Sequence, residues 1–215
     1  MNKNVKKGIA YISPLLILIV NYFVSRLLYP VMGNWSWVII LPIYYALIFL
    51  VITITGEIHN YKCWFKKSEG KIRWRVICVV FFSIFSLPVF FMNSNKLDTV
   101  LIVFLSIIYS IINPFFEELY WRRFLLTKIK AKKWLLVLFS TLLFTLNHPI
   151  ALATLNTTFI EPGFIFITFM FGVIWCVLFL KTNSLRWNYV THVMVNFASL
   201  SVLVFLNLFV PVFSM

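Results

Sequence analysis

About seven apolar runs, each close to the length that crosses a bilayer, follow one another along this chain with only short polar interruptions. A hydrocarbon core of about 30 Å needs roughly 17–25 apolar residues in a helix rising about 1.5 Å per residue. The runs are 9–28, 35–55, 76–92, 99–121, 134–148, 164–180 and 187–212. The fifth is the shortest, and the last holds one tilted span but not two. With 62% hydrophobic and 12% charged residues, the 215-residue chain has far more apolar side chains than a soluble core of that size can bury. Lipid is the remaining sink. The expected architecture is an all-α polytopic transmembrane helical bundle, with 24 Phe and 8 Trp suited to helix packing and interfacial belts.

The formal net charge of +13 would suggest nucleic acid in a soluble domain. Here the cations sit in short loops between apolar runs, so the partner they imply is the bilayer and not nucleic acid. Lys3, Lys6 and Lys7 precede the first run. Lys62, Lys66, Lys67, Lys71, Arg73 and Arg75 separate the second from the third. Arg122, Arg123, Lys128, Lys130, Lys132 and Lys133 separate the fourth from the fifth, and Lys181 and Arg186 the sixth from the seventh. Only Arg26 and Lys96 fall on the other side. The positive-inside rule then places the N-terminus in the cytoplasm, and Asn34, Asn156 and the C-terminus outside. The first run resembles a signal peptide, but it is too long and lacks a small-x-small cleavage site, so it reads as a retained span. Cys63, Cys78 and Cys176 are odd in number and follow no ligand spacing, which argues against a disulfide framework or a zinc knuckle.

Two regions are expected: 1–98, with three spans and a basic cytoplasmic loop at 57–75, and a core at 99–215. The loop mixes Trp64, Phe65 and Trp74 with cations, as a segment lying on anionic lipid would, a partner-docking site being the alternative. The richness in Lys, Asn, Ile and Phe fits an AT-rich bacterial genome and hence a bacterial cytoplasmic membrane.

Ionisable side chains within spans are costly and mark sites. Glu117 and Glu118 lie inside the fourth run, with Arg122 four residues after Glu118 and so on its helix face. Glu117 is turned about 100° away from Glu118. One carboxylate is therefore expected to pair with the arginine and the other to be available. Pro114, just upstream, removes a backbone donor and can kink the helix. His148 closes the fifth run, four residues after Phe144, and His192 in the seventh shares a face with Asn196. His59 lies in the basic loop without such company. Together Glu117, His148, His192 and Asn196 offer a general base, a proton partner and oxyanion donors. Alternatively, Glu117, His148 and His192 offer three ligands to Zn²⁺. The depths disagree: Glu117 and His192 lie roughly 7 Å from the nearest loop, whereas His148 lies roughly 22 Å along its helix from Lys133.

At these residues the chain resembles the CPBP family of intramembrane proteases, which includes the type 2 CAAX prenyl proteases and bacteriocin-processing and immunity proteins. Glu117, Glu118 and Arg122 match its Glu-Glu-x-x-x-Arg motif, Phe144 and His148 its Phe-x-x-x-His, and His192 and Asn196 its His-x-x-x-Asn/Asp. The resemblance covers about half the chain. It implies endopeptidase hydrolysis of membrane-associated or leader peptides. Glu117 and His148 would activate water, His192 and Asn196 would stabilise the oxyanion, and Glu118 and Arg122 would support the site. It leaves open a zinc-dependent or a metal-free Glu/His mechanism. A non-catalytic membrane immunity or scaffold protein, and a transporter using the same ionisable residues, are the competing classes.

Overall fold

The computed structural model describes residues 3–210, and no strand occurs among them. Nine α-helices follow in order among the described residues: α1 (Lys3–Met32), α2 (Trp37–Ile54), α3 (Ile72–Asn93), α4 (Val100–Glu117), α5 (Leu125–Lys128), α6 (Lys133–Asn147), α7 (Pro162–Thr182), α8 (Arg186–Ala198) and α9 (Ser201–Phe205). The chain is an all-α, multi-pass membrane protein. Among the described residues five stretches are long and apolar enough to cross a bilayer: Val5–Ile54, Ile72–Lys96, Val100–Lys128, Lys133–Leu152 and Pro162–Thr182. The first contains both α1 and α2. They turn at Gly33, whose φ of +53° suits a residue without a Cβ. They return antiparallel, so that Lys6 near the start of α1 meets Gly56 just past the end of α2.

The helices are inside-out relative to a soluble bundle. In α1, Ser13, Asn21 and Ser25 are buried, whereas Leu15, Leu16, Ile19 and Leu27 are exposed. In α4, Ser106, Ser110 and Asn113 are buried and Leu101, Phe104, Ile108 and Ile111 face outward. Lipid as solvent explains the pattern, since apolar side chains lose nothing by facing hydrocarbon and polar ones must find partners inside. Small residues bring backbones together within the bundle. A Cβ on Gly172 of α7 would come within 2.9 Å of Thr141 and 3.3 Å of Phe144 on α6.

Two sequence expectations need correction. The run 187–212 was expected to form one tilted span, and Val212 and the C-terminus lie outside the described residues. Within them the run is broken. Leu200 adopts a left-handed conformation at φ +56° and ends α8 after 13 residues, about 20 Å, short of a bilayer core. No Gly or Pro signals this break. It is tolerated because α9 is enclosed by protein: Val202, Leu203, Val204 and Phe205 are all buried, and Phe205 stacks on Trp37 at 5.5 Å. Beyond it, Asn207 donates to Asn34 and to the Leu155 carbonyl, and Asn156 donates to the Val204 carbonyl at 2.8 Å. This asparagine cluster ties three connections together at the end opposite the cation-rich loops.

The second correction concerns 57–75. Trp64 and Phe65 do not lie on lipid but pack on Phe115 of α4. The backbone is strapped to the α7–α8 turn: Leu185 N–H donates to Trp64 O at 3.0 Å, Ser184 to Lys66 O at 2.7 Å and Glu69 N–H to Thr182 O at 2.7 Å. Gly70 is required there, because a Cβ at its φ of +78° would sit 2.4 Å from the Lys181 carbonyl oxygen. Lys66 and Asn183 hold the exposed Glu69 carboxyl below its usual range. Glu57, in the same loop, pairs with Lys128 at the end of α5.

The cation distribution generates an orientation test. With Cys63, Cys78 and Cys176 replaced, a membrane-impermeant maleimide on intact cells should label Thr157→Cys and spare Lys130→Cys, both exposed positions at opposite ends of the bundle. The reverse labelling pattern would invert the expected topology.

Candidate active site

Glu117 is the last residue of α4, and Glu118 opens a π-helical stretch, Glu118–Phe124, before the chain resumes as α5. A second π stretch, His148–Leu152, follows α6. Pro149 accounts for that one, since it has no N–H to donate to the Thr145 carbonyl and so breaks the α ladder directly after His148. Single π turns commonly interrupt helices at functional sites. Both of these fall on the residues singled out from the sequence.

The two carboxylates occupy different surroundings. Glu118 is fully buried and held by three groups: His192 Nδ1 at 2.8 Å, Asn188 Nδ2 at 3.1 Å and Arg122 Nη1 at 3.4 Å. Arg122 is itself fully buried, its guanidinium 4.3 Å from the Phe144 ring centre and 5.1 Å from that of Trp175. Glu117 accepts from Asn113 Nδ2 at 2.9 Å and Tyr44 OH at 3.4 Å, and its Oε2 lies 3.4 Å from His192 Nε2. The imidazole of His192 thus spans the two glutamates. Its plane is fixed by stacking on Trp175 at 4.0 Å, and Trp175 Nε1 donates to Thr191 on α8.

Glu117, His148, His192 and Asn196 line one cavity of about 110 Å³, room for several waters. Glu118 and Arg122 stand behind this wall. His148 faces the Phe144 carbonyl through Nδ1 at 3.0 Å, so Nδ1 carries the proton and Nε2 keeps its lone pair. Asn196 Nδ2 is buried without a hydrogen-bond partner among the described residues.

The discrepancy in depth largely closes, for a physical reason. Arg122 is not the membrane edge. The helix runs on to Lys128, so Glu117 lies about 16 Å inside, near the depth of His148. The strapped loop 57–70 covers the start of α8, where Leu185 and Asn188 are fully buried, and thereby sinks His192 as well.

Several contacts were not read from the sequence. Asn113 lies one turn before Glu117, so its shared face was legible in the spacing. Tyr44 and Tyr45 on α2, Asn188 on α8 and Trp175 on α7 carry no local signal. Tyr45 OH fixes Asn113 at 3.0 Å, and Trp121 Nε1 fixes Tyr44 at 2.8 Å.

The expected zinc ligands do not assemble into a set. Glu117 Oε2 and His192 Nε2 at 3.4 Å suit two ligands of one tetrahedral ion with bonds of about 2.0–2.1 Å. Yet among the described residues no three His, Cys, Asp or Glu side chains gather closely enough to hold a metal.

Residues 99–198 match the profile of the type II CAAX prenyl endopeptidase Rce1-like family. The match, over a little under half of the chain, supports membership of the CPBP family. All seven motif residues lie inside the matched segment, whereas Tyr44 and Tyr45 lie outside it. No curated protein and no solved structure matches the chain.

Removing Glu118 strands Arg122 in an apolar interior, and breaking a buried pair costs about 3–5 kcal/mol. Glu118→Ala should therefore lower membrane accumulation well below that of Glu117→Ala, as quantitative immunoblotting would show. Equal levels would refute the distinction between the two carboxylates.

Proposed function

We propose that the chain is an intramembrane endopeptidase that hydrolyses membrane-associated or leader peptides in a bacterial cytoplasmic membrane. The observation that supports this most is the convergence of Glu117 from α4, His148 from the π stretch after α6, and His192 and Asn196 from α8 on one cavity within an apolar bundle. The match of residues 99–198 to an endopeptidase family supports the same reading.

In this mechanism a water bound between Glu117 and His148 Nε2 loses a proton to Glu117 as its oxygen attacks the peptide carbonyl carbon. His148 Nε2, with its lone pair free, orients that water. The carbonyl oxygen becomes an oxyanion facing Asn196 Nδ2 and His192 Nε2–H. For His192 to donate from Nε2 while Nδ1 also donates to Glu118, the ring must carry both protons. Glu118 then stabilises the cation as the carboxylate of a catalytic triad does. As the tetrahedral intermediate collapses, the C–N bond breaks and Glu117 returns its proton to the leaving amine. Asn113 and Tyr44 hold the Glu117 carboxylate in place through these steps.

Glu117→Gln keeps size and hydrogen bonding but cannot take the proton. Cleavage should fall by roughly 10²-fold or more while the protein still inserts. Asn196→Ala should cost about 10²–10³-fold in kcat with little change in KM, as loss of one oxyanion donor does. Full-rate cleavage by purified Glu117→Gln would sink the assignment and favour an immunity scaffold.

Because Glu117 Oε2 and His192 Nε2 are the ligand atoms brought together among the described residues, treatment with 1,10-phenanthroline should leave the rate unchanged. Loss of activity restored by added Zn²⁺ would instead require His148 to move in as a third ligand.

A further inference from the structure

The cavity wall carries polar atoms that the hydrolytic chemistry does not use. Three of its lining residues have a buried side-chain atom with no hydrogen-bond partner among the described residues: Asn196 Nδ2, Asn21 Oδ1 and Ser86 Oγ. The first is accounted for as an oxyanion donor. Asn21 and Ser86 are 2% and 1% exposed, and they come from α1 and α3, outside the segment that matches the protease family. A polar atom left unpaired inside a membrane bundle is strongly unfavourable unless something in the cavity pairs with it.

Their placement is informative. Asn21 Nδ2 reaches Asn147 Oδ1 at 3.3 Å, so Asn21 stands on the wall beside His148 with its own oxygen free. Ser86 stands on the wall shared with α8, where Ser83, one turn earlier, touches Met194 at 3.6 Å, two residues before Asn196. One group is an acceptor and the other a hydroxyl that can donate, and the motif residues lie between those walls. The rest of the lining includes Phe85, Phe159, Phe164 and Ile167. An extended peptide with apolar side chains is complementary to this surface. It presents an N–H to an acceptor, a C=O to a donor, and apolar groups to the aromatic rings.

We propose that Asn21 and Ser86 form a backbone-binding subsite for an extended apolar peptide, Asn21 Oδ1 accepting from a substrate N–H on the His148 side and Ser86 Oγ donating to a substrate carbonyl on the α8 side. The proposal rests on the protease reading above. It assigns to the N-terminal helices the task of holding substrate in register with Glu117.

The test uses the full-length protein in detergent with fluorescein-labelled casein, an unfolded polypeptide, as the first substrate. Its cleavage site is mapped by mass spectrometry, and an octapeptide spanning that site is made with each amide in turn replaced by an ester. Asn21→Leu and Ser86→Ala should each raise KM by about three- to tenfold, the range of one net hydrogen bond, with kcat within about twofold. One ester should raise KM equally for wild type and have no further effect in Asn21→Leu. That arm reads the contact on wild-type protein even where a variant folds poorly. Unchanged KM for both variants and every ester would overturn the subsite and assign the two polar atoms to water. A fall confined to kcat would overturn it too. Wild type that cleaves no better than Glu117→Gln would instead overturn the protease reading on which the subsite rests.

Discussion

A carboxylate enclosed in a lipid-surrounded bundle persists only where other groups take over the work of water, and Glu118 is the residue around which the rest of this bundle is arranged. Its oxygens receive His192 and Asn188 from α8 and face Arg122 from its own helix. Arg122 in turn lies against Phe144 of α6 and Trp175 of α7. One anion thus fixes the relative positions of four of the helices that wall the cavity. Since an unpaired buried charge costs far more than any apolar contact there, α4 and α8 have little freedom to slide. The precision with which His192 faces Glu117 follows from this second glutamate, which holds the ring through Nδ1.

The same constraint accounts for the interrupted helices. Beyond Glu117 the chain continues through the π stretch and α5 to Lys128, so that Arg122 is enclosed and the charge cluster sits deep. On the other side of the site, Leu200 accepts a left-handed conformation costing about 1–3 kcal/mol. With it α8 ends at Ala198, next to Ser199 of the cavity wall, and α9 then closes the far end. Irregular backbone within a membrane protein is stable only when protein surrounds it. Here it surrounds the cavity that the irregularity creates.

Most of the membrane character was legible in the sequence, because hydropathy integrates over whole helices and tolerates local error. The runs 76–92, 99–121, 134–148 and 164–180 each fall within a helix-rich stretch capable of spanning. The run 187–212 misled because Leu200 carries no turn signal. Its conformation is imposed by tertiary burial. The motif residues were legible because ionisable groups are rare in such runs, so Glu117, Glu118, Arg122 and His192 stood out individually. Tyr44, Asn113 and Trp175 did not, since tyrosine, asparagine and tryptophan are ordinary in membrane helices. Only the fold shows that Tyr44 touches Glu117 and Trp175 touches His192, whereas the Asn113 contact follows the four-residue spacing to Glu117. The basic loop at 57–75 misled for a related reason: Trp64 and Phe65 suit a lipid interface and a protein groove equally well by composition.

The division between the matched segment and the rest of the chain follows from the same physics. Groups that form and stabilise charge must be held to within a fraction of an ångström, and the residues proposed for that task lie on α4, the π stretch after α6, and α8, which Glu118 and Arg122 tie together. The helices α1–α3 meet different demands. They present lipid-facing apolar surfaces outward, and inward they contribute side chains such as Asn21, Tyr44 and Ser86, each reaching the cavity from a separate helix. A family profile that recognises the first set need not extend over the second, because many combinations of residues can build a wall whereas few can build the centre. The end of the matched region at residue 99, one residue before α4 begins, is where those two demands separate along the chain.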